Sequence, residues 1–282
     1  MLQRRQFLSL AAASTLSALP LRRAGAAEIA FRSPADSKPN GLQATLEGLW
    51  IIDQSDGSRV FLVGYEKGEV LRSFETKADR ASGITFDGEA LWLASTYNRM
   101  ILRVDAHSGK TLAEYVAPGA GPIYRMAGDP AARRSPLAPG PAPAATATAT
   151  ATATVPGTVP GTVPPGGSSG TGAHGLEWRN GKLWIAVPPS RTIFRVDPKA
   201  WIVEQKFGTA ANRPHGIGWD GAYLWCTDSN LNAFVKHDTV TGAMLEKIQL
   251  RETDPLPHGM SIWRGTLWYS DDVGVICRMK LA

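Results

Sequence analysis

Three of the five histidines in this 282-residue sequence share one recurring position, directly before a glycine. They are His174, His215 and His258, separated by 41 and 43 residues. Imidazole is a common protein ligand for divalent metals and titrates near neutral pH, so imidazoles that meet can bind a metal ion or act as acid–base catalysts. We therefore treat these three as candidate catalytic and metal-binding residues, with a divalent metal as the implied cofactor.

The same position carries Asn40 and Ser82 earlier in the chain. Aspartates further along three of the five copies can supply more ligands or hold the imidazoles in place, and they are Asp53, Asp228, Asp271 and Asp272. The predicted ligand-binding set is Asn40, Ser82, His174, His215, His258, Asp228 and Asp271. A structural alternative stays open, because a Pro-His-Gly turn can use its imidazole only to bond the neighbouring backbone.

A sequence repeat contains these positions. Five glycines each stand nine residues before a tryptophan that follows a leucine, and the pairs are Gly41 and Trp50, Gly83 and Trp92, Gly175 and Trp184, Gly216 and Trp225, and Gly259 and Trp268. The glycines are 42, 92, 41 and 43 residues apart, so the long interval holds one period plus an insertion. A period near 40 residues with several short strands is typical of a β-propeller, and we expect the tryptophans to pack between its blades.

Each copy predicts four antiparallel strands, because Asp-Gly and Asn-Gly dipeptides favour tight hairpins after the first strand. The fifth copy ends after three strands, and residues 28–33 precede the first copy as an unassigned strand. We expect this N-terminal strand to close the last blade and so remove the free sheet edges. The predicted fold is an all-β, five-bladed β-propeller with four antiparallel strands per blade. His107 and His237 fall near the ends of third strands, where we expect them to be solvated.

Residues 1–26 have the features of a twin-arginine signal peptide: Arg4-Arg5, an apolar stretch at 7–19 and a small-residue cleavage site ending at Ala26. The apolar stretch is too short to span a bilayer. This predicts export to the bacterial periplasm or the extracellular space, with no stable membrane span. The segment holds four arginines and no acid, so without it the formal net charge falls from +5 to +1. That balance gives no electrostatic reason to expect nucleic-acid binding.

The remaining chain divides into propeller residues 27–118 (closing strand and blades 1 and 2), an insertion at 119–173, and propeller residues 174–282 (blades 3 to 5). The insertion is rich in Pro, Ala, Thr and Gly, a composition that buries too little apolar surface to offset the entropy of ordering, so we expect it to be disordered. Cys226 and Cys277 fall on different strand types of neighbouring blades, and we expect free, buried thiols.

The pattern is best preserved over residues 214–242 and resembles NHL-repeat and streptogramin-lyase-like propellers, within a broad group that includes gluconolactonases. The resemblance covers nearly all of the predicted mature chain except the insertion. Streptogramin lyases use a rim histidine with a magnesium ion, and the matching positions are His174, His215 and His258. Gluconolactonases hold a metal with acidic and amide side chains, which only Asn40 matches. Glutaminyl cyclotransferases share the predicted blade count.

The leading hypothesis for function is an exported, monomeric propeller that binds a small molecule, or a peptide or glycan end, at a histidine-lined channel mouth. The alternative is a metal-assisted lyase or hydrolase that uses the same histidines. A third hypothesis is an interaction module whose working surface is the rim and the insertion. The sequence leaves open whether the protein is an enzyme.

Overall fold

The computed structural model describes residues 20–23, 27–55, 57–124, 126–139 and 170–281. All named secondary-structure elements within these ranges are β-strands. None of the described residues forms a helix long and apolar enough to cross a membrane. The strands are numbered β1 to β21 in chain order, and they form five sheets.

Each sheet is one blade, and its strands run from the first to the fourth of the repeat. Blade 1 contains β3 (Pro39–Ala44), β4 (Leu49–Asp53), β5 (Arg59–Val63) and β6 (Val70–Glu75). Blade 2 contains β7 (Gly83–Phe86), β8 (Ala90–Ser95), β9 (Met100–Asp105) and β10 (Thr111–Val116). Blade 3 contains β11 (Gly175–Arg179), β12 (Lys182–Val187), β13 (Thr192–Asp197) and β14 (Ile202–Gly208).

Blade 4 contains β15 (Pro214–Asp220), β16 (Tyr223–Asp228), β17 (Ala233–His237) and β18 (Met244–Gln249). Blade 5 contains β19 (Met260–Trp263), β20 (Thr266–Asp271), β21 (Val275–Lys280) and the N-terminal strand β2 (Glu28–Arg32). The first strands touch in the ring order β3, β7, β11, β15, β19 and back to β3. The predicted five-bladed β-propeller is therefore confirmed.

The ring closes through β2, which pairs antiparallel with β21 and places Glu28 opposite Arg278. Their side chains form an ion pair with a nitrogen–oxygen distance of 2.8 Å. The first and last parts of the propeller thus share one blade, as the sequence predicts, and the ring is closed by main-chain pairing.

The recurring glycines lie where the backbones of neighbouring blades meet. A Cβ atom on Gly175 would lie 2.0 Å from the carbonyl oxygen of His215, and one on Gly259 would lie 1.7 Å from that of Asn40. Real Cβ atoms do not approach so closely, so only glycine permits this packing. In both cases the repeat glycine of one blade packs against the main chain of the next blade. The contact there is with the residue directly before the repeat glycine.

The five repeat tryptophans pack between blades, which confirms their predicted role. Trp50, for example, belongs to one buried cluster with Ile84 and Leu91 of blade 2. Each indole also has a basic group within 5.4 to 5.9 Å of its ring centroid, and the five groups belong to Arg72, Arg103, Arg195, Lys236 and Arg278. Such cation–π contacts contribute about 0.5–1 kcal/mol each at partly exposed sites. In all five cases the basic group belongs to the same blade as the indole, so these contacts fix the indole within its own blade, and the apolar packing joins the blades.

A three-residue strand, β1 (Leu21–Arg23), pairs in parallel with the outer edge of blade 4, with Leu21 opposite Lys247. This strand belongs to the predicted signal peptide. The rest of that segment, residues 1–19 and 24–26, lies outside the described residues. The signal peptide and its cleavage therefore stay predictions.

Cys226 and Cys277 are free and buried, as expected.

The expectation for the two histidines outside the candidate site is correct for His107, which is exposed, and wrong for His237, which is 0 % exposed. The ring of Phe207 from blade 3 lies 5.4 Å from the His237 ring. Burial lowers the pKa of His237 to about 4, so its imidazole is neutral at neutral pH.

Candidate functional site

The structure brings the three repeat histidines into one row. His174 directly precedes β11, His215 lies in β15, and His258 lies in the loop that leads into β19. The ring centroids of His174 and His215 are 4.6 Å apart, and those of His215 and His258 are 5.0 Å apart. Both pairs meet nearly at right angles, with interplanar angles of 89° and 79°. We call these three side chains the histidine row.

Hydrogen bonds define the tautomer of the central imidazole. The Nδ1 atom of His215 lies 3.1 Å from the carbonyl oxygen of Arg213 and 3.0 Å from the Ser229 hydroxyl oxygen. The Ser229 hydroxyl donates its own proton to the Pro257 carbonyl oxygen at 2.6 Å. A carbonyl only accepts, so Nδ1 carries the proton and Nε2 carries a lone pair. His215 can therefore accept a hydrogen bond or ligate a metal through Nε2.

His258 has the same arrangement. Its Nδ1 lies 3.3 Å from the carbonyl oxygen of Leu256, which assigns the proton to Nδ1 and the lone pair to Nε2. The Nε2 atom lies 3.7 Å from an oxygen of Asp272, whose side chain is 42 % exposed. The exposed carboxylate beside the row is thus that of Asp272.

The third imidazole is held differently. The Nε2 atom of His174 lies 3.1 Å from the hydroxyl oxygen of Thr171, and its buried Nδ1 atom has no hydrogen-bond partner among the described residues. Thr171 belongs to the insertion, and no sequence motif connects it with the histidines. The row therefore ends against an insertion residue on the blade 3 side.

All three imidazoles are neutral at neutral pH. Burial is the main cause: it lowers the pKa of His174 to about 3 and that of His258 to about 4, and it holds the pKa of His215 well below its usual value. The positive charge of Arg213 lowers all three further, while the Asp272 carboxylate acts in the opposite direction on His258. Neutral imidazoles can act as hydrogen-bond acceptors, bases or metal ligands.

Asp228 and Asp271 lie in the same region but are buried, at 2 % and 0 % exposed. Asp228 Oδ2 accepts the backbone N–H of Arg213 at 3.0 Å, and Asp271 Oδ2 accepts that of Leu256 at 2.7 Å. Both N–H groups belong to the residue two positions before a row histidine. These carboxylates therefore hold the loops that carry His215 and His258, which favours a positioning role over direct ligand contact.

Asp53 does the same in blade 1, where its Oδ1 accepts the backbone N–H of Lys38 at 2.9 Å. A recurring aspartate at the end of the second strand is the sequence signal for this role. Burial raises the pKa of Asp228, and it raises that of Asp271 to about 7 with a contribution from the charge of Asp272. In Asp53, hydrogen bonds from the Lys38 and Ser55 backbone and from Arg59 outweigh burial, so its pKa is lowered.

Asn40 and Ser82 complete the recurring position in blades 1 and 2, and both are buried. The hydroxyl oxygen of Ser82 accepts a hydrogen bond from the Gln54 side-chain amide at 2.6 Å. The Oδ1 atom of Asn40 is buried, with no partner in the described chain. The described residues show no hydrogen bond from either side chain to the three imidazoles, and a ligand shared by all five positions stays a prediction.

At one end of the histidine row, three side chains lie close enough together to share a metal ion. His258, Asp271 and Asp272 each offer one ligand atom, and these atoms lie within 4.8 Å of one another. An imidazole with two carboxylates suits zinc or a similar transition metal, whereas magnesium prefers oxygen ligands and retained waters. The magnesium ion that the lyase resemblance implies therefore does not fit the row itself. The positive charge of Arg213 also opposes a cation there.

No protein-family model and no curated protein matches this chain. Among solved structures, glutaminyl cyclase from Myxococcus xanthus superimposes with a TM-score of 0.59 over 93 % of this chain and 98 % of that chain, at 9 % identity. Virginiamycin B lyase from Staphylococcus aureus, solved with quinupristin, gives a TM-score of 0.47 at 19 % identity, covering 88 % of this chain and 68 % of that one. At 9 % identity the likeness to the cyclase shows a shared fold alone, that of a β-propeller.

Proposed function

We propose that the protein binds a small polar molecule, or the end of a peptide or glycan chain, at the histidine row. One observation carries this proposal: His215 and His258 have their Nδ1 protons directed to backbone carbonyls, so both Nε2 atoms are available as acceptors. A ligand with hydroxyl or amine donors matches such a pair of acceptors.

The charges beside the row support the same class of ligand. The guanidinium of Arg213 is near enough to lower the pKa of all three imidazoles, and the carboxylate of Asp272 lies beside His258. One positive and one negative group flank neutral acceptors. This combination suits a neutral or zwitterionic ligand better than a bare cation, because Arg213 repels a cation.

A matched pair of variants tests the proposal. His215→Ala removes the central imidazole, whereas His107→Ala removes an exposed histidine that lies outside the row. We expect members of a panel of short peptides and oligosaccharides to raise the Tm of the wild type and of His107→Ala, but not that of His215→Ala. A panel in which no compound distinguishes the two variants contradicts the proposal.

The second candidate function is a metal-assisted lyase or hydrolase, which the proximity of His258, Asp271 and Asp272 favours. A metal held there would supply a Lewis acid or an activated water. Elemental analysis of the purified protein tests it alongside His258→Ala. Stoichiometric metal that is lost in the variant supports this candidate, and a metal-free wild type of full thermal stability contradicts it.

We also propose that the protein is exported by the twin-arginine route and acts as a monomer in the periplasm or outside the cell. The paired arginines and the cleavage site in residues 1–26 support export. Mass spectrometry of the exported protein should find Ala27 as the first residue. Replacing both Arg4 and Arg5 by lysine should retain the precursor in the cytoplasm.

Sedimentation measurements should give the mass of one chain, as expected for a monomer.

A further inference from the structure

The described part of the insertion follows the histidine side of the rim. We call residues 126–139 the strap. Its Asp129 carboxylate forms a bidentate ion pair with Arg191 of blade 3, with nitrogen–oxygen distances of 2.7 and 2.6 Å. Further along, the backbone N–H of Arg133 donates to the Asn230 side chain of blade 4 at 3.3 Å. The strap thus crosses blade 3 and then blade 4.

The strap then reaches blade 5 beside the histidine row. The hydroxyl of Ser135 donates to Asp271 Oδ2 at 2.6 Å, and Ser135 is only 6 % exposed. The same carboxylate oxygen accepts the backbone N–H of Leu256, in the loop that carries His258. An insertion residue therefore bonds the carboxylate that positions one end of the row.

The other end of the row meets the base of the insertion. Gly121 and Thr171 exchange two backbone hydrogen bonds of 3.0 and 2.9 Å, which join the two sides of the insertion. The Thr171 hydroxyl then lies 3.1 Å from His174 Nε2. Hydroxyl groups from the insertion thus stand at both ends of the row, one at His174 and one near His258.

We infer that the strap and the segment that carries Thr171 form the specificity-determining wall of the histidine site, and that this wall restricts the site to the ends of chain-like ligands. A polymer that lay along the row would collide with the segments that carry Thr171 and Ser135. A chain end that approaches across the row meets neither. This inference rests on the proposed function and defines its ligand class.

The wall is tested through the accessibility of the imidazoles to diethyl pyrocarbonate, which acylates neutral histidine, with each site read by mass spectrometry. Ser135→Ala removes the bond to Asp271, and Asp129→Asn weakens the ion pair with Arg191. Ser108→Ala is the matched control, because Ser108 also donates to an aspartate, Asp105, at 2.7 Å but in an exposed turn. A lost hydrogen bond to a buried carboxyl should speed acylation of His215 and His258 about tenfold.

Two other histidines distinguish local opening from unfolding. His107 is exposed and should react equally in all proteins, and His237 is buried away from the row and should stay slow. Unchanged acylation of the row in both strap variants overturns the inference. Parallel acceleration at His237 also overturns it, because the whole propeller would then have loosened.

Ligand selectivity gives an independent measure. A head-to-tail cyclic peptide, which has no chain end, should raise the Tm of Ser135→Ala but not that of the wild type or Ser108→Ala. Equal binding of the cyclic peptide and of its linear form by the wild type contradicts the wall. If the strap variants expose the imidazoles but no peptide or oligosaccharide binds any variant, the strap shields the row, and the proposed function and the ligand class both fail.

Discussion

Replacing His258 by asparagine should remove one of four comparable contributions to the acid sensitivity of the fold, since the pKa values of His174, His215 and His237 are also lowered by burial. Asparagine occupies the same repeat position in blade 1 as Asn40, so the replacement is compatible with this backbone. The pKa of His258 is about 4 in the folded protein, against an ordinary value of 6.5, mainly because of burial. The unfolded chain therefore takes up a proton that the folded chain resists. The stability that His258 contributes is complete above pH 6.5 and is lost as the pH falls towards 4.

The magnitude follows from these two values. Lowering the pH from 7 to 5 should cost the wild type about 2 kcal/mol of unfolding free energy through His258 alone, since each pH unit in the window costs at most about 1.4 kcal/mol. Over the same pH interval, the unfolding free energy of His258→Asn should fall by about 2 kcal/mol less than that of the wild type. Asp271, with a pKa raised to about 7, changes stability in the opposite direction, but it is present in both proteins.

The assay is urea unfolding of the wild type, His258→Asn and His107→Asn at pH 7 and pH 5, followed by tryptophan fluorescence. His107 is exposed, so its variant should show the pH dependence of the wild type. Equal losses in all three proteins would refute the reasoning, since His258 would then be as easily protonated in the folded state as in the unfolded one.

Three further predictions concern the ring, the insertion and the thiols. Gly259→Ala should lower the unfolding free energy by at least about 3 kcal/mol, because the new Cβ would lie 1.7 Å from a backbone oxygen that cannot move alone. Gly121→Ala meets no atom within 4 Å and should unfold in urea like the wild type. Replacing residues 141–168 by a short Gly-Ser linker should leave the urea midpoint unchanged if the segment is disordered as its composition predicts, and a large drop contradicts this. Cys226 and Cys277 should react with Ellman's reagent only as fast as the protein unfolds. Burial raises the pKa of both thiols, that of Cys277 to about 12. Fast reaction in the native protein would contradict their burial.

The fold of this protein is readable from its sequence because the same local requirements recur in every blade. Glycine is needed wherever two blade backbones approach at the axis, as at Gly175 and Gly259, and tryptophan is needed where neighbouring blades pack. Both requirements leave a residue type at a regular interval. The spare strand at Glu28–Arg32 was also assignable, because a closed ring allows it only one partner.

The chemistry of the candidate site depends on contacts that have no sequence period. Whether a histidine meets water or a neighbouring ring is a matter of through-space packing, and for this reason His237 is buried although its position suggested solvent. The protonated nitrogen of His215 depends on Ser229 and on a carbonyl in its own loop.

The insertion shows the same limit most clearly. Its composition indicates disorder, yet Ser135 bonds Asp271 across 136 residues of chain. Composition measures how much apolar surface a segment can bury, and it carries no information about single polar bonds made to a surface that is already folded. The sequence by itself determined the ring and the position of the histidines, and only the tertiary structure decided what surrounds them.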